Sequence, residues 1–489
     1  MTYGQLNPGQ CAAALLLLAV GVVLMVVAQR RDWRPSLAVA IYTALVLRLV
    51  MLALVWRTLP YDLVYDFKTA GLDVLHHQDP ILNTRQNGWG SLPPYAFVLA
   101  VAFSGSFHLH ISWLIIARLP AILSDLGVVV LVGVLARASG ERAALRRFQY
   151  ACCPLAILVS SVHGQAEPFC FLFALAAFAV ILRAGPQISG RRAGAAGVLF
   201  GLAVAAQTWP VVFGPALLLA VPAWRRRAQF LAGAAGILAL LFVTLPVTVG
   251  TPVAKLPNIA TQFFETRPSF GTWGWGGLWY AVHPTKLPVW QDPMWLTAGS
   301  IGTKVAVVGA LLAVWWWRRA HPLDIATATT TTLLAITPSF GNQYLLWQAP
   351  SATARPGRLS IPLQVVLGAY AAIFYLPMQM LTWRNWQMVN ALMMLVSLFV
   401  AALMIAALPW QRRQWQPPGA TASPGRARPR RRAGLIPPAP AIPPAPAIPA
   451  RGGDPRTAVP GVRASSQADA SRVKRGHPAP VPCLDPTDP

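Results

Sequence analysis

Four aspartates, Asp62, Asp66, Asp73 and Asp79, stand close together in the stretch YDLVYDFKTAGLDVLHHQDP, in a chain of 489 residues that carries only 15 acidic side chains. A carboxylate in such a cluster can take a proton from a hydroxyl, and two of them, such as Asp62 and Asp66, can share a divalent cation. On a helix Asp62, Asp66 and Asp73 fall on one face, while Leu63, Phe67, Ala70 and Val74 form a neighbouring apolar stripe. That pattern describes an amphipathic helix lying along a membrane interface. It also fits a surface loop whose aspartates are simply hydrated, and the spacing alone leaves both readings open.

Other stretches supply groups suited to a phosphate or a sugar. His163, Gln165 and Glu167 sit in SSVHGQAEPF, Gln207 in AAQTWP, Arg267 in FFETRPSF, and Gln343 with Tyr344 in SFGNQYLLW. Each has a plainer alternative: a capping or interfacial role for His163, an ion pair with Glu265 for Arg267, a stitch between helices for Gln343. In FGTWGWGGLWY, Trp273, Trp275 and Trp279 alternate among glycines instead of repeating at helical spacing. Aromatic faces stack on sugar rings, yet Trp and Tyr also line membrane interfaces. The alternation favours a mobile loop over the site.

The elements that position these groups follow from composition. With 55% hydrophobic and 11% charged residues, the chain has more apolar surface than a water-soluble core could bury. Apolar windows of spanning length occur at 11–29, 35–56, 93–136, 148–162, 166–183, 194–223, 228–249, 296–317, 323–337, 343–376 and 389–409, several long enough for more than one segment. The expectation is an all-α polytopic membrane protein of about 10–13 transmembrane helices. The first run lacks a basic segment before it and is followed by RRDWR, so it reads as a retained helix and not as a signal peptide.

The net charge of +25 is concentrated in short loops and the tail, as the positive-inside rule expects of cytoplasmic segments, and gives no reason to invoke nucleic acid. Placing the clusters around Arg30, Arg142, Arg191, Arg226, Arg318 and Arg412 in the cytoplasm puts Asp62, Asp66, Asp73, Asp79, Glu167, Glu265 and Asp292 outside. Under that rule the interval 93–136 must cross an odd number of times, although it looks like two apolar segments. A re-entrant piece or a third crossing is therefore expected there. Asp125 is the clearest intramembrane carboxylate.

Residues 1–410 form the expected membrane domain. Residues 411–489, with IPPAPAIPPAPAIPA and thirteen Lys/Arg against four Asp, read as a disordered cytoplasmic tail. Cys11, Cys152, Cys153, Cys170 and Cys483 have no metal-ligand spacing and suggest neither a zinc site nor a disulfide framework.

Taken in order, these stretches resemble the GT-C superfamily of integral membrane glycosyltransferases, and especially the bacterial polyprenol-phosphate-mannose-dependent mannosyltransferases of the actinobacterial type. YDFKTAGLDVLHHQDP followed by LPPY resembles the family's first extracytoplasmic loop. SSVHGQAEPF resembles its Gly-Gln-x-Asp helix start, GLAVAAQTWPVVFGPALLLA its Lys-x-x-Pro segment, and TPSFGNQYLLWQAP its Gln-Tyr motif. The likeness spans roughly residues 10–408. Glu167 replaces the usual Asp, Gln207 stands where Lys is common, and His76 to Gln78 replace a customary Gly.

The resemblance implies an inverting transfer of a sugar, mannose being commonest, from a polyprenyl-phosphate donor to a glycolipid, glycan or protein hydroxyl on the extracytoplasmic face. It implies Asp66 as general base and Glu167 as a second acidic position with Asp62 and Asp73. It leaves His163, Gln165, Gln207 and Arg267 for the donor phosphate, and Trp273, Trp275, Gln343 and Tyr344 for sugar or lipid contacts. Because the lipid phosphate already activates the sugar, that chemistry requires no cofactor and no divalent metal. A transporter or flippase for a lipid-linked sugar is the alternative; it expects ionisable groups near the bilayer centre. A third reading, an assembly protein whose tail recruits a partner, expects the outer carboxylates to tolerate substitution.

Overall fold

The computed structural model describes residues 6–83, 94–264, 273–276, 278–279 and 292–411. Arg267, and the tail beyond Gln411, lie outside the described residues. The architecture is all-α and polytopic. Among the described residues eight helices are long and apolar enough to cross a membrane: α1 Pro8–Arg30, α2 Leu37–Val55, α3 Trp113–Ala138, α4 Glu167–Gln187, α5 Trp224–Val243, α6 Pro293–Trp317, α7 Ser360–Met380 and α8 Met388–Ala406. Three shorter apolar helices, Pro94–Leu109, Pro154–His163 and Trp209–Ala220, accompany them.

Local chemistry sets the boundaries. α1 opens with a capping box in which Asn7 Oδ1 accepts from the Gln10 amide (2.8 Å) and Gln10 Oε1 accepts from that of Asn7 (3.2 Å). Ser36 caps α2, and the Asp292 carboxylate caps α6. In the apolar window 194–223 the helix Gly190–Ala206 stops at Gln207, whose backbone is extended, and resumes as a 3₁₀ turn at Trp209–Phe213. The window 343–376 likewise divides at Arg355–Leu359 into a short helix and α7.

Helix Gly190–Ala206 carries Gly197-x-x-x-Gly201 and lies so close to α5 that a Cβ on Gly197 would fall 1.9 Å from the Phe230 carbonyl oxygen. Small residues at that spacing let two backbones touch inside a bilayer, where dispersion replaces the hydrophobic effect as the driving force.

The membrane interior also holds an ion pair. Arg48 of α2 and Asp125 of α3 are both fully buried, and Arg48 Nε donates to Asp125 Oδ2 at 2.6 Å. Tyr150 Oη donates to the other carboxylate oxygen at 2.8 Å, and Arg48 Nη1 reaches the Ala44 and Ala151 carbonyls. One charged group thus ties α2, α3 and helix Ala143–Ala151 together.

Within 94–136 one described helix, α3, has spanning length, and the shorter helix Pro94–Leu109 precedes it. Helix Pro94–Leu109 packs on the short helix Lys68–Leu75, where a Cβ on Gly71 would lie 3.0 Å from the Leu99 carbonyl oxygen. Its Phe103 ring stands 5.6 Å from Trp113 at the start of α3, and the Trp113 indole donates to the Leu63 carbonyl (2.9 Å). These contacts bring the start of α3 beside the segment that follows α2. Leu63, Phe67 and Ala70 are buried beneath this roof with Tyr95, Leu99 and Ala117, as the apolar stripe requires.

Candidate active site

The aspartate stretch is not a uniform α-helix. Asp62–Phe67 winds as a π-helical turn, and the α-helix begins only at Lys68. A π turn holds more residues than an α turn, so it rotates everything after it relative to the α-helical expectation. Asp62 and Asp66 remain partly open, whereas Asp73 is buried at 8% exposure. Asp73 therefore does not share their surroundings. Asp79 is buried and structural: it accepts from the Ile81 amide at 2.7 Å and from the Thr251 hydroxyl.

A second π-helical turn, Leu158–His163, brings the other half of the site. It ends at Gly164, which adopts φ 71°; a Cβ there would lie 2.8 Å from both Arg118 Cγ and Leu63 Cδ1. Both the left-handed backbone and the lack of space require glycine. The sharp turn aims His163 and Gln165 at Asp62. Gln165 Nε2 donates to Asp62 Oδ2 and stands 3.1 Å from His163 Nε2, which is itself 3.5 Å from Asp62 Oδ2. With the amide donating to both, the imidazole carries its proton on Nδ1 and donates it to Tyr375 Oη at 3.0 Å.

Asp66 sits one turn from Asp62 and contrasts with it. Its carboxylate makes no hydrogen bond or ion pair among the described residues, and burial, with a smaller contribution from the Asp62 charge, pushes it up to about 6. Glu167 begins α4 at the next turn of chain after Gln165. It is fully buried, and neither of its carboxylate oxygens has a side-chain partner among the described residues.

Beside these groups lies a cavity of about 300 Å³, walled by Pro60, Tyr61, His163, Tyr375, Gln379 and Trp386. Tyr344 adjoins it electrostatically: burial, with the Glu167 and Asp62 carboxylates, raises its phenol further above the usual value, and Gln343 hydrogen-bonds to it. The ring packs on Phe340 and Trp347.

Other expected site residues are placed elsewhere. Gln207 accepts from the Trp209 indole at 2.7 Å and caps a helix. Trp273 is fully buried, donates its indole N–H to the Leu334 carbonyl (2.7 Å), and pairs its backbone with Phe340. Trp275 donates to the Ile336 carbonyl (3.1 Å). These two tryptophans anchor their segment. Among the described residues no group of three or more His, Cys, Asp or Glu converges as a metal site.

Two contributors carried little sequence signal. Tyr375 lies in an ordinary apolar run. Arg118, in ISWLIIARLPAIL, is an arginine inside a spanning segment, and such residues are usually functional. It is fully buried beneath Gly164, with its donors on the Val162, Trp56, Leu114 and Thr58 carbonyls and the Thr58 hydroxyl. Its charge is held under the site with no carboxylate on it.

Residues 92–339 match the family model described as glycosyltransferase family 87. The match contains His163, Gln165 and Glu167 and starts after the Asp62–Asp66 turn. No curated protein matches the chain.

Proposed function

The chain belongs to glycosyltransferase family 87, and from that premise we propose that it moves a sugar, mannose, from a polyprenyl-phosphate donor to an acceptor hydroxyl with inversion, using Asp66 as general base. The observation that carries the reading is the state of Asp66: half-buried, without a hydrogen-bond partner among the described residues, pushed up to about 6, and one turn from a carboxylate that the Gln165 amide holds in place.

In this mechanism the acceptor oxygen attacks the anomeric carbon while Asp66 takes its proton. The carbon–oxygen bond to the phosphate breaks, and its electron pair leaves on the phosphate. Above pH 6 Asp66 is ionised, yet its basicity exceeds that of a hydrated aspartate, which improves proton transfer. Gln165 fixes Asp62, His163 orients the Gln165 amide, and the Asp62 charge helps keep Asp66 basic. The buried Arg118 contributes a positive field beneath the site; its N–H groups are already committed to carbonyls, so it acts at a distance. His163 borders the cavity with Gln165 beside it, and either would bind the departing phosphate by exchanging a hydrogen bond it now makes to Tyr375 or Asp62; Tyr61, Tyr375 and Trp386 offer rings for the sugar.

The donor's isoprenoid chain stays in the bilayer while the acceptor enters from water. The basic loop clusters assign the Asp66 face to the extracytoplasmic side and the tail to the cytoplasm. A transporter of the same lipid-linked sugar would use ionisable groups at mid-membrane. The clearest of these, Asp125, is already neutralised by Arg48 and hydrogen-bonded to Tyr150, which favours the transferase.

The test is transfer from radiolabelled polyprenyl-phosphate-mannose to a membrane-extract acceptor pool in proteoliposomes, native chain against Asp66→Asn. Transfer lost in the variant with donor binding retained supports the assignment. Equal transfer in both removes Asp66 from the mechanism, and a native chain inactive with this donor but active with another polyprenyl-phosphate sugar overturns mannose.

A further inference from the structure

At the end of the bundle away from Asp66, a second cavity of about 530 Å³ opens between α3, α4 and helix Ala143–Ala151. Arg118 beneath the carboxylates and Arg137 at this cavity belong to the same helix, roughly 28 Å apart along its axis. Glu167 and Arg183 mark the two ends of α4 in the same way. The cavity is built of two materials. Arg137, Arg147 and Arg183 converge on it, and Leu37, Val130 and Leu182 supply an apolar wall.

No acidic side chain lines this cavity. The nearby carboxylates of the same face are already engaged, Asp32 by Arg34 (2.8 Å) and Arg142, Glu141 by Arg146 (3.1 Å). Arg147 gives one N–H to the Pro35 carbonyl (3.1 Å), but its Nε is buried with no acceptor. Burial and the neighbouring Arg137 charge both disfavour its protonated form. Three guanidinium groups thus line one cavity, two of them exposed and the third with a buried Nε–H that has no acceptor among the described residues, a donor set suited to an anion.

We propose that this cavity binds an anionic glycerophospholipid of the leaflet facing away from Asp66, its phosphodiester held by Arg137, Arg147 and Arg183 and an acyl chain lying on the Leu37, Val130 and Leu182 wall. A planar guanidinium donates two parallel N–H bonds to a phosphate, which suits arginine better than lysine to this task. The apolar wall distinguishes a lipid from a soluble phosphate, because only a lipid fills both halves. The site is independent of the sugar-transfer reading and stands or falls without it.

The experiment uses the full chain purified in mild detergent, with thermal unfolding and native mass spectrometry as readouts. Phosphatidylglycerol, phosphatidylcholine with the same acyl chains, and inorganic phosphate are the probes. The expected result is a saturable rise in Tm with phosphatidylglycerol at a concentration at least tenfold below that needed with phosphatidylcholine, bound lipid in the mass spectrum, and little effect of phosphate. Arg137→Gln/Arg147→Gln/Arg183→Gln abolishes the difference between the two lipids. Because Arg147 also holds Pro35, the double variant Arg137→Gln/Arg183→Gln, at two exposed positions, serves as a control for folding and is expected to weaken binding three- to tenfold. Equal protection by the two lipids, or phosphatidylglycerol selectivity undiminished in the double variant, overturns the proposal. Protection by inorganic phosphate equal to that by phosphatidylglycerol assigns the site to a soluble phosphate and overturns the lipid.

Discussion

Asp125 and Asp66 are the same side chain in opposite conditions. Asp125 is wholly buried and completely answered, by the Arg48 guanidinium and the Tyr150 hydroxyl. Asp66 is only half buried, yet no side chain among the described residues hydrogen-bonds it, and the Asp62 carboxylate adds to its burial in disfavouring its charge. The first arrangement lowers the energy of a charge that the bilayer would otherwise exclude; the second raises the energy of a charge that water could have stabilised. The difference separates a carboxylate that holds helices from one free to act as the proposed general base.

The same substitution at the two positions tests that contrast most severely. Asp66→Asn is expected to reduce sugar transfer by about 10²- to 10⁴-fold, the usual contribution of a positioned general base, with the folded fraction unchanged; initial rates in proteoliposomes measure it. Asp125→Asn leaves Arg48 buried without its counter-charge and is expected to cost about 3–5 kcal/mol of stability. Its effect should be read as lost folded yield on size exclusion, with normal specific activity in whatever folds. If both variants fold and both lose transfer equally, the division between the two aspartates is wrong.

Proton dependence sharpens the comparison. Asp66 must be ionised to accept a proton, so transfer should fall about tenfold per pH unit below about pH 6. Asp62→Asn removes the neighbouring charge and should move that acid limb to lower pH. Stability runs the other way. The folded state holds the Asp66 proton more tightly than the unfolded chain between pH 3.8 and about 6, so stability is lost as pH rises through that window. Asp66→Asn should then raise Tm at pH 7.5, where Asp125→Asn lowers it. The smallest expected effects belong to the groups behind Asp62. His163→Gln and Tyr375→Phe each remove a hydrogen bond of about 0.5–1.5 kcal/mol, which predicts a loss of transfer of tenfold or less.

How far the site was legible in the sequence depended on which physical signal each residue carries. Scarcity marked the aspartates, because a chain this apolar places few carboxylates without reason. Spacing then misplaced Asp73, since a π turn leaves no trace in a pattern read at α-helical period. His163, Gln165 and Glu167 were found because they cluster within five residues of chain. Gln207 and Trp273 share the residue types of a sugar site, but the Gln207 carbonyl oxygen accepts from the Trp209 indole and the Trp273 indole N–H is taken up by Leu334, a partner across the fold that is invisible in one dimension. The charge-based topology expects an odd number of crossings in 93–136, and among the described residues there only α3 has spanning length, the helix Pro94–Leu109 being shorter. Arg118 was overlooked although an arginine within an apolar run is itself a signal.

That roof has a consequence for how the protein comes into being. Asp62 and Asp66 arrive on the segment between α2 and α3, while His163, Gln165 and Glu167 arrive later, with the helices that follow α3. Insertion of the spans into the bilayer can therefore finish while the reactive centre is still in two pieces. The centre closes when the loop settles on Gly164 and the Trp113 indole reaches the Leu63 carbonyl. If Asp66 acts as proposed, competence depends on that docking, and a chain integrated in the membrane with an undocked loop would be inert until the loop seats.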